Sequence, residues 1–263
     1  MQTGIVSPPG GVGTATIMVA SSKAERNRIR ATILDFTRNE AGKIVEIKES
    51  HARSARPWLE VSAPEFETPE NGRVEIQVTA RVPNDAQGSY WAMVALDALP
   101  PPRSPAEGNI GFQIVPRIVV PVIVTVSGTE QYDVAISRLD AVRSSGQLPV
   151  KGTITIVNRG NAAVMVTGAF TLERAGAEGA PPEEVALDAI EPITSLPGTT
   201  MTVVGSLPWN GSTAGLQAHA YVRYGPRPND ATEAATTIED ATAQTDGPAA
   251  RLAPDAPSPG KKP

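Results

Sequence analysis

The chain has 263 residues, enough for two ordinary domains, and its net charge of −5 comes from scattered residues that form no basic stripe for nucleic acid. Cysteine is absent, which excludes a disulfide framework, a zinc ribbon and a thiol nucleophile. With 25 prolines, 23 glycines and only 4% aromatic residues, the composition favours short strands joined by turns over a helical bundle.

Alternation of apolar and polar residues predicts strands along the first half of the chain. The clearest case is residues 72–82 (GRVEIQVTARV), where four apolar side chains share the inward face: Val74, Ile76, Val78 and Ala80. The other strands predicted in this half are, in chain order, 12–20, 28–36, 43–48, 89–97 and 110–126. Turn signals between them, spaced about 8–12 residues apart, predict a Greek-key β-sandwich.

A second series of strands is predicted after Ser127-Gly128, over 131–139, 150–157, 163–172, 199–207 and 216–224. Residues 158–161 (Asn-Arg-Gly-Asn) suit a tight hairpin turn, because Gly and Asn accept positive φ. The segment 183–190 fits either one helical turn or a short strand, and we interpret it as a strand. The second half is therefore predicted to form another sandwich.

The last 20 residues contain five prolines and one large apolar side chain, Leu252. Such a segment buries too little surface to offset its ordering entropy. The predicted fold is therefore all-β, with two immunoglobulin-like Greek-key domains in tandem and a disordered tail. The predicted boundaries are 1–127, 128–226 and 227–263.

No apolar run reaches the roughly 18 residues of a membrane helix. The longest candidate, 110–126, is interrupted by Pro116, Arg117 and Pro121. The first residues, MQTGIVSPPGG, have neither the basic nor the apolar region of a signal peptide. We therefore expect no integral membrane segment and no leader peptide within this chain.

No residue pattern points to catalysis. The two histidines, His51 and His219, lie outside any recognisable motif, and the acidic clusters lack metal-ligand spacing. Residues 10–13 (Gly-Gly-Val-Gly) lack the preceding strand and following helix of a phosphate loop. Three tryptophans could stack on sugar rings, although such residues more often fill a sandwich core: Trp58, Trp91 and Trp209. We therefore predict a non-enzymatic protein with no metal and no cofactor.

Residues 57–126 combine a proline-rich strand entry, a Val-Pro-Asn-Asp turn (82–85), a Tyr-Trp strand running into Ala-Leu-Pro-Pro (98–101), and a long strand ending Val-Pro-Val (120–122). This order of motifs resembles the first domain of the periplasmic fimbrial chaperones, the PapD-like proteins with two immunoglobulin-like domains. The resemblance implies a periplasmic or extracellular location. It also implies a protein partner, namely the extended strand of a surface or pilus subunit.

In that family, the final strand of the first domain pairs with the subunit, and two basic residues in the interdomain cleft grip its C-terminal carboxylate. The resemblance places Arg117 at the basic position of the final strand, whereas the basic residue expected on the first strand, near 4–9, is missing. The partner-binding residues implied on the final strand are Arg117, Phe112, Ile114, Ile118, Val120 and Val122. The alternative is that this strand packs wholly within its own sandwich.

We predict a chaperone-like or assembly factor for cell-surface structures of the pilus type, which binds extended peptide by β-strand addition. The alternative is a structural or adhesive surface module that binds protein or carbohydrate through its loops. A strand-adding chaperone should expose an apolar edge beside Arg117, whereas a loop binder should cover that edge and expose aromatic residues at one end. Pro116 has an even number and Pro121 an odd number, so in a regular strand their missing N–H groups face opposite sides. At least one of them therefore removes a donor from the edge.

Overall fold

The computed structural model describes residues 2–21, 26–99, 116–143, 149–176 and 180–240. Within these ranges the chain consists of strands and loops, with a single 3-10 turn at Arg56–Trp58 and no α-helix. No described helix is long and apolar enough to cross a membrane.

The first sandwich is built from nine strands: β1 (Thr3–Ser7), β2 (Val12–Ala20), β3 (Asn27–Arg38), β4 (Ile44–Ile47), β5 (Leu59–Val61), β6 (Glu65–Thr68), β7 (Arg73–Arg81), β8 (Gly88–Leu99) and β9 (Arg117–Val126). One sheet has the order β1-β9-β8-β3-β4, with β6 also pairing with β3, and the facing sheet has the order β2-β7-β5. The inward face predicted for β7 lies in the core between these sheets, where Ile76, Val78 and Ala80 are fully buried.

The second sandwich is built from eight strands: β10 (Val134–Arg143), β11 (Val150–Asn158), β12 (Val164–Arg174), β13 (Glu183–Ser195), β14 (Thr200–Leu207), β15 (Leu216–Arg223), β16 (Ala231–Thr237) and β17 (Glu239–Asp240). Its sheets have the orders β14-β11-β10-β17 and β13-β12-β15-β16. Phe170 is 1% exposed, and its ring packs directly on Gly152 and Gly205, where a Cβ atom would lie 2.7 and 2.4 Å from ring carbons. The strand interpretation of 183–190 is confirmed by β13.

The prediction that the disordered tail begins at 227 was wrong for residues 231–240. Strand β16 pairs antiparallel with β15 over seven residues, and β17 pairs with β10. The sequence of β16, ATEAATT, has no large apolar side chain and therefore gave no apolar signal. The backbone groups at the edge of β15 provide the pairing of this strand. Residues 241–263 lie outside the described residues, and the boundary predicted between residues 127 and 128 stays a prediction.

The two sandwiches meet through a separate apolar cluster, which we call the interdomain cluster. It combines Leu196 of the second sandwich with four residues of the first: Phe36, Trp91, Met93 and Ile123. Backbone hydrogen bonds flank it, from Ser89 N–H to the Asn161 carbonyl (2.8 Å) and from Thr202 N–H to the Glu40 carbonyl (2.6 Å). The sheet that contains β9 therefore has one face in the first core and the other face toward the second domain.

Candidate functional site

Among the described residues, strand β9 has neighbouring strands on both sides only from Val122 onward. Strand β8 pairs with it along its whole length, from Arg117 to Val126. On the other side, β1 begins at Thr3, which lies opposite Val122. Residues 117–121 therefore have a described strand on one side only, and we call their other side the open edge of β9.

Two hydrogen bonds fix the direction of the β9 backbone groups. The Ala98 N–H of β8 donates to the carbonyl of Pro116 (3.2 Å), and the Ser127 N–H donates to the carbonyl of Ser7 in β1 (3.0 Å). Because successive residues of a strand turn their polar groups to opposite sides, even-numbered residues of β9 bond toward β8 and odd-numbered residues toward β1.

This alternation shows which backbone N–H and C=O groups point to the open edge. Arg117 and Val119 are odd-numbered, so each presents one N–H and one C=O where β1 has not yet begun. Pro121 also faces this side and lacks an N–H, so it removes one donor from the edge. The open edge therefore presents two donors, on Arg117 and Val119.

The residues predicted to bind a partner fall into three groups. Ile118 is 61% exposed, whereas Val120 and Val122 are at most 1% exposed and lie in the first core. Phe112 and Ile114 lie outside the described residues. The side chains of Val120 and Val122 pack in the first core, and their backbone groups bond toward β8, so these two residues present no group to the open edge.

Arg117 lies on the face of the sheet that is turned toward the second domain, and it is held by two carboxylates of its own domain. Its Nε donates to Asp97 Oδ1 (2.5 Å), its Nη2 to Asp97 Oδ2 (3.2 Å) and its Nη1 to Glu46 Oε2 (3.1 Å). The Asp97 carboxylate, more than that of Glu46, raises the pKa of Arg117 above its usual value. Three of the five guanidinium N–H groups are thus engaged, which leaves two that could reach an external carboxylate.

The strand register explains why Arg117 is ordered in this position. Four charged residues lie directly opposite one another on neighbouring strands. They are Glu65 on β6, Arg30 on β3, Asp97 on β8 and Arg117 on β9. Charges of opposite sign opposite each other across strands attract. This alternating row of charge ends at Arg117, on the open edge. That Arg117 binds a carboxylate of a partner stays a prediction.

A buried polar cluster lies beside Trp91 of the interdomain cluster, and the sequence interpretation missed it. The Asp35 carboxylate is buried and accepts a hydrogen bond from Ser54 Oγ (2.5 Å). His51 Nε2 lies 3.7 Å from Asp35 Oδ1, and Arg56 Nη1 lies 3.9 Å from Oδ2. The available signal was that Asp35 shares a strand face with Ile29, Ala31 and Ile33 in the sequence pattern.

The cluster forms where β3 leaves β8. Beyond Met93 the place of β3 beside β8 is taken by residues 53–55, since Trp91 N–H donates to the Arg53 carbonyl and Ala55 N–H to the Trp91 carbonyl, both at 3.0 Å. The ring of His51 stacks on that of Trp91, with centroids 4.7 Å apart. The polar cluster therefore supports a tryptophan of the interdomain cluster.

We expect His51 to make folding sensitive to mild acid. Burial lowers the pKa of His51 below its usual value of about 6.5, and the Asp35 carboxylate opposes this only in part. The unfolded chain therefore binds the proton first, so the stabilisation is complete above about pH 6.5 and is lost as the pH falls toward the folded pKa. Thermal midpoints between about pH 7.5 and 5 should fall more in the wild type than in His51→Gln. Equal losses in both proteins would contradict this assignment.

The tryptophans fill apolar cores, as the sequence analysis favoured. Trp91 is 5% exposed in the interdomain cluster, and Trp58 and Trp209 pack half-buried against the first and second cores. Within the described part of the chain, no group of three His, Cys, Asp or Glu residues is placed to hold a metal ion.

No family model and no curated protein matches this chain. Among solved structures, the class 5 fimbriae chaperone CfaA is similar with a TM-score of 0.48 and 11% identity, covering 89% of this chain and 95% of that chain. The CupB2 chaperone of Pseudomonas aeruginosa gives 0.42 and 9%, covering 90% and 97%. The E. coli chaperone DraB gives 0.42 and 11%, covering 90% and 94%. Fimbrial chaperones are therefore among the proteins that this chain is similar to.

Proposed function

We propose that this protein is a non-enzymatic chaperone-like or assembly factor for cell-surface structures of the pilus type, working in the periplasm or outside the cell. It binds an extended segment of a protein partner by β-strand addition at the open edge of β9. The observation that carries this proposal is the pair of backbone N–H and C=O groups on Arg117 and Val119, which no described strand covers. Strand addition uses such groups for affinity and neighbouring side chains for specificity.

The side chains around the open edge suit an extended apolar partner. Ile118 lies at the end of the first core, on the same face as Val120 and Val122, yet is 61% exposed. A strand added beside β9 would cover Ile118 with an apolar side chain. On the opposite face, it would bring its own polar groups close to the two unengaged N–H groups of Arg117.

The distribution of aromatic residues favours this function over a loop-binding surface module. Such a module needs aromatic side chains exposed on loops at one end of a sandwich. In the described part of the chain, the three tryptophans are buried or half-buried, and the exposed aromatic side chain, Tyr221 (43%), lies within strand β15.

A photo-crosslinking residue in place of Ile118 tests the proposal in the producing cell. We expect a covalent adduct with a protein, cross-linked through an extended apolar segment. The matched control replaces Met165, which is 60% exposed on β12 of the second sandwich and should give no adduct.

Val119→Pro, added to the Ile118 cross-linker, then asks whether backbone pairing is required. The Val119 N–H faces the open edge, so proline removes a donor there without breaking a bond to β8. We expect the adduct to disappear while the thermal midpoint is retained. An adduct that survives Val119→Pro, or equal adducts at positions 118 and 165, would refute strand addition.

A further inference from the structure

A second open edge lies on the other sheet of the first sandwich. Strand β2 is the outer strand of the sheet β2-β7-β5, and it pairs with β7 over all nine of its residues. At its two ends, Ser21 N–H donates to the Gly72 carbonyl and Val82 N–H to the Gly11 carbonyl, both at 2.9 Å. Odd-numbered residues of β2 therefore bond toward β7, and five residues turn their N–H and C=O groups to the open side: Val12, Thr14, Thr16, Met18 and Ala20.

Two other strand edges carry features that restrict pairing, whereas β2 carries none of them. On the outer side of β14, the Thr202 N–H binds the Glu40 carbonyl and the Ser206 N–H binds the Asp188 carboxylate, both at 2.6 Å. The open edge of β9 carries Pro121 and a charged residue, Arg117. Such features restrict which strands can pair at an edge without closing it to a matched partner. Strand β2 has neither a charge nor a proline.

The side chains of β2 that face solvent are also suited to contact. Val12 is 58% exposed and Met18 is 47% exposed, and the other solvent-facing residues are two threonines and an alanine. A long, uncharged edge strand with exposed apolar side chains is a template for pairing with another strand.

We infer that β2 is the docking site for a second copy of this chain. The two strands pair antiparallel about a two-fold axis at Thr16, which joins two three-stranded sheets into one. Because β2 is self-complementary in this register, Val12 lies opposite Ala20 of the second copy, Thr14 opposite Met18, and Thr16 opposite Thr16. The five outward residues of each copy then form about ten backbone hydrogen bonds, and threonine pairs directly opposite each other are favourable.

The surrounding charges permit this pairing. The charged residues of the same outer face, such as Arg73 and Glu75, lie on β7, one strand inward from the edge. In the paired sheet, Arg73 of one copy and Arg81 of the other are three strand spacings apart, roughly 14 Å, which exceeds the screening length of about 8 Å at physiological salt. No like charges are brought face to face.

Sedimentation equilibrium of the full chain, over about 10 µM to 1 mM, tests the inference. We expect a monomer–dimer equilibrium for the wild type. Thr16→Lys places two ammonium groups directly opposite each other, so the dissociation constant should rise at least about tenfold. The matched control is Gln77→Lys, which adds the same charge in the same row but one strand inward, and should dimerise like the wild type.

Thr16→Pro separates edge pairing from a charge effect. The Thr16 N–H faces the open side, so proline keeps the pairing with β7 and removes the two central hydrogen bonds of the dimer. We expect it to be monomeric with an unchanged thermal midpoint. Two results would overturn the inference: a wild type that stays monomeric throughout the range, or Thr16→Lys and Thr16→Pro variants that dimerise as strongly as the wild type. Cross-linking at Ile118 should be unaffected, because β9 lies in the other sheet.

Discussion

Trp91→Ala is expected to lower the free energy of unfolding by about 3–5 kcal/mol, the range typical of buried Trp-to-Ala changes. The indole is 5% exposed and packs in the interdomain cluster with Phe36 and Leu196. Its Nε1–H donates to the carbonyl of Phe36 (2.9 Å), and the ring of His51 stacks on it. The change therefore leaves a cavity, an unpaired carbonyl and an unsupported contact between the domains.

Urea denaturation of three variants separates these contributions. Trp91→Phe keeps most of the apolar surface but removes the donor to Phe36, so we expect a smaller loss of about 1–3 kcal/mol. Trp58→Ala removes a half-buried tryptophan outside the interdomain cluster and should also cost less than Trp91→Ala. If Trp91→Ala costs no more than Trp58→Ala, the interdomain cluster does not contribute in the way described.

Truncation after Asp230 is expected to lower the thermal midpoint of the second sandwich by several degrees. The cut removes β16 and β17, which exposes seven residues of β15 and the side of β10 that pairs with β17. In a domain of this size, a loss of 1 kcal/mol corresponds to roughly 4–8 °C. Calorimetry of the truncated and full chains measures the difference.

A cut after Asp240 is the matched control for this truncation. It retains both strands and removes only the segment 241–263, which the sequence predicts to be a disordered tail. We expect its thermal midpoint to equal that of the full chain. If both truncated chains unfold like the full chain, strand β16 adds no stability to the second sandwich.

Local patterns were enough to predict the elements whose burial follows a period of two. Strand β7 shows this best, since alternate residues from Ile76 to Ala80 are buried as predicted. Strand β16 gave no such signal, because its alanines and threonines pair through the backbone and bury little apolar area. Its existence depends on the free edge of β15, which is a property of the folded sheet and not of the segment.

In the candidate site as well, local residue patterns were predictable, whereas contacts that depend on strand pairing were not. The sequence located Arg117, Pro116 and Pro121. Because one proline has an even number and the other an odd number, the sequence already indicated that at least one of them removes a donor from the edge. It did not indicate that Asp97 lies opposite Arg117, because this contact depends on the register between β8 and β9. Likewise, the start of β1 opposite Val122, which creates the open edge, depends on pairing between segments more than 100 residues apart.

Backbone amide exchange tests strand addition most directly when the wild-type protein is bound non-covalently to the partner that cross-linking at position 118 identifies. The amides of Arg117 and Val119 face the open edge, whereas those of Ile118 and Val120 already bond toward β8. We predict that partner binding slows exchange at Arg117 and Val119 and leaves Ile118 and Val120 nearly unchanged. Unaltered exchange at Arg117 and Val119 in the saturated complex would contradict the proposal that this protein binds its partner by adding a strand to β9.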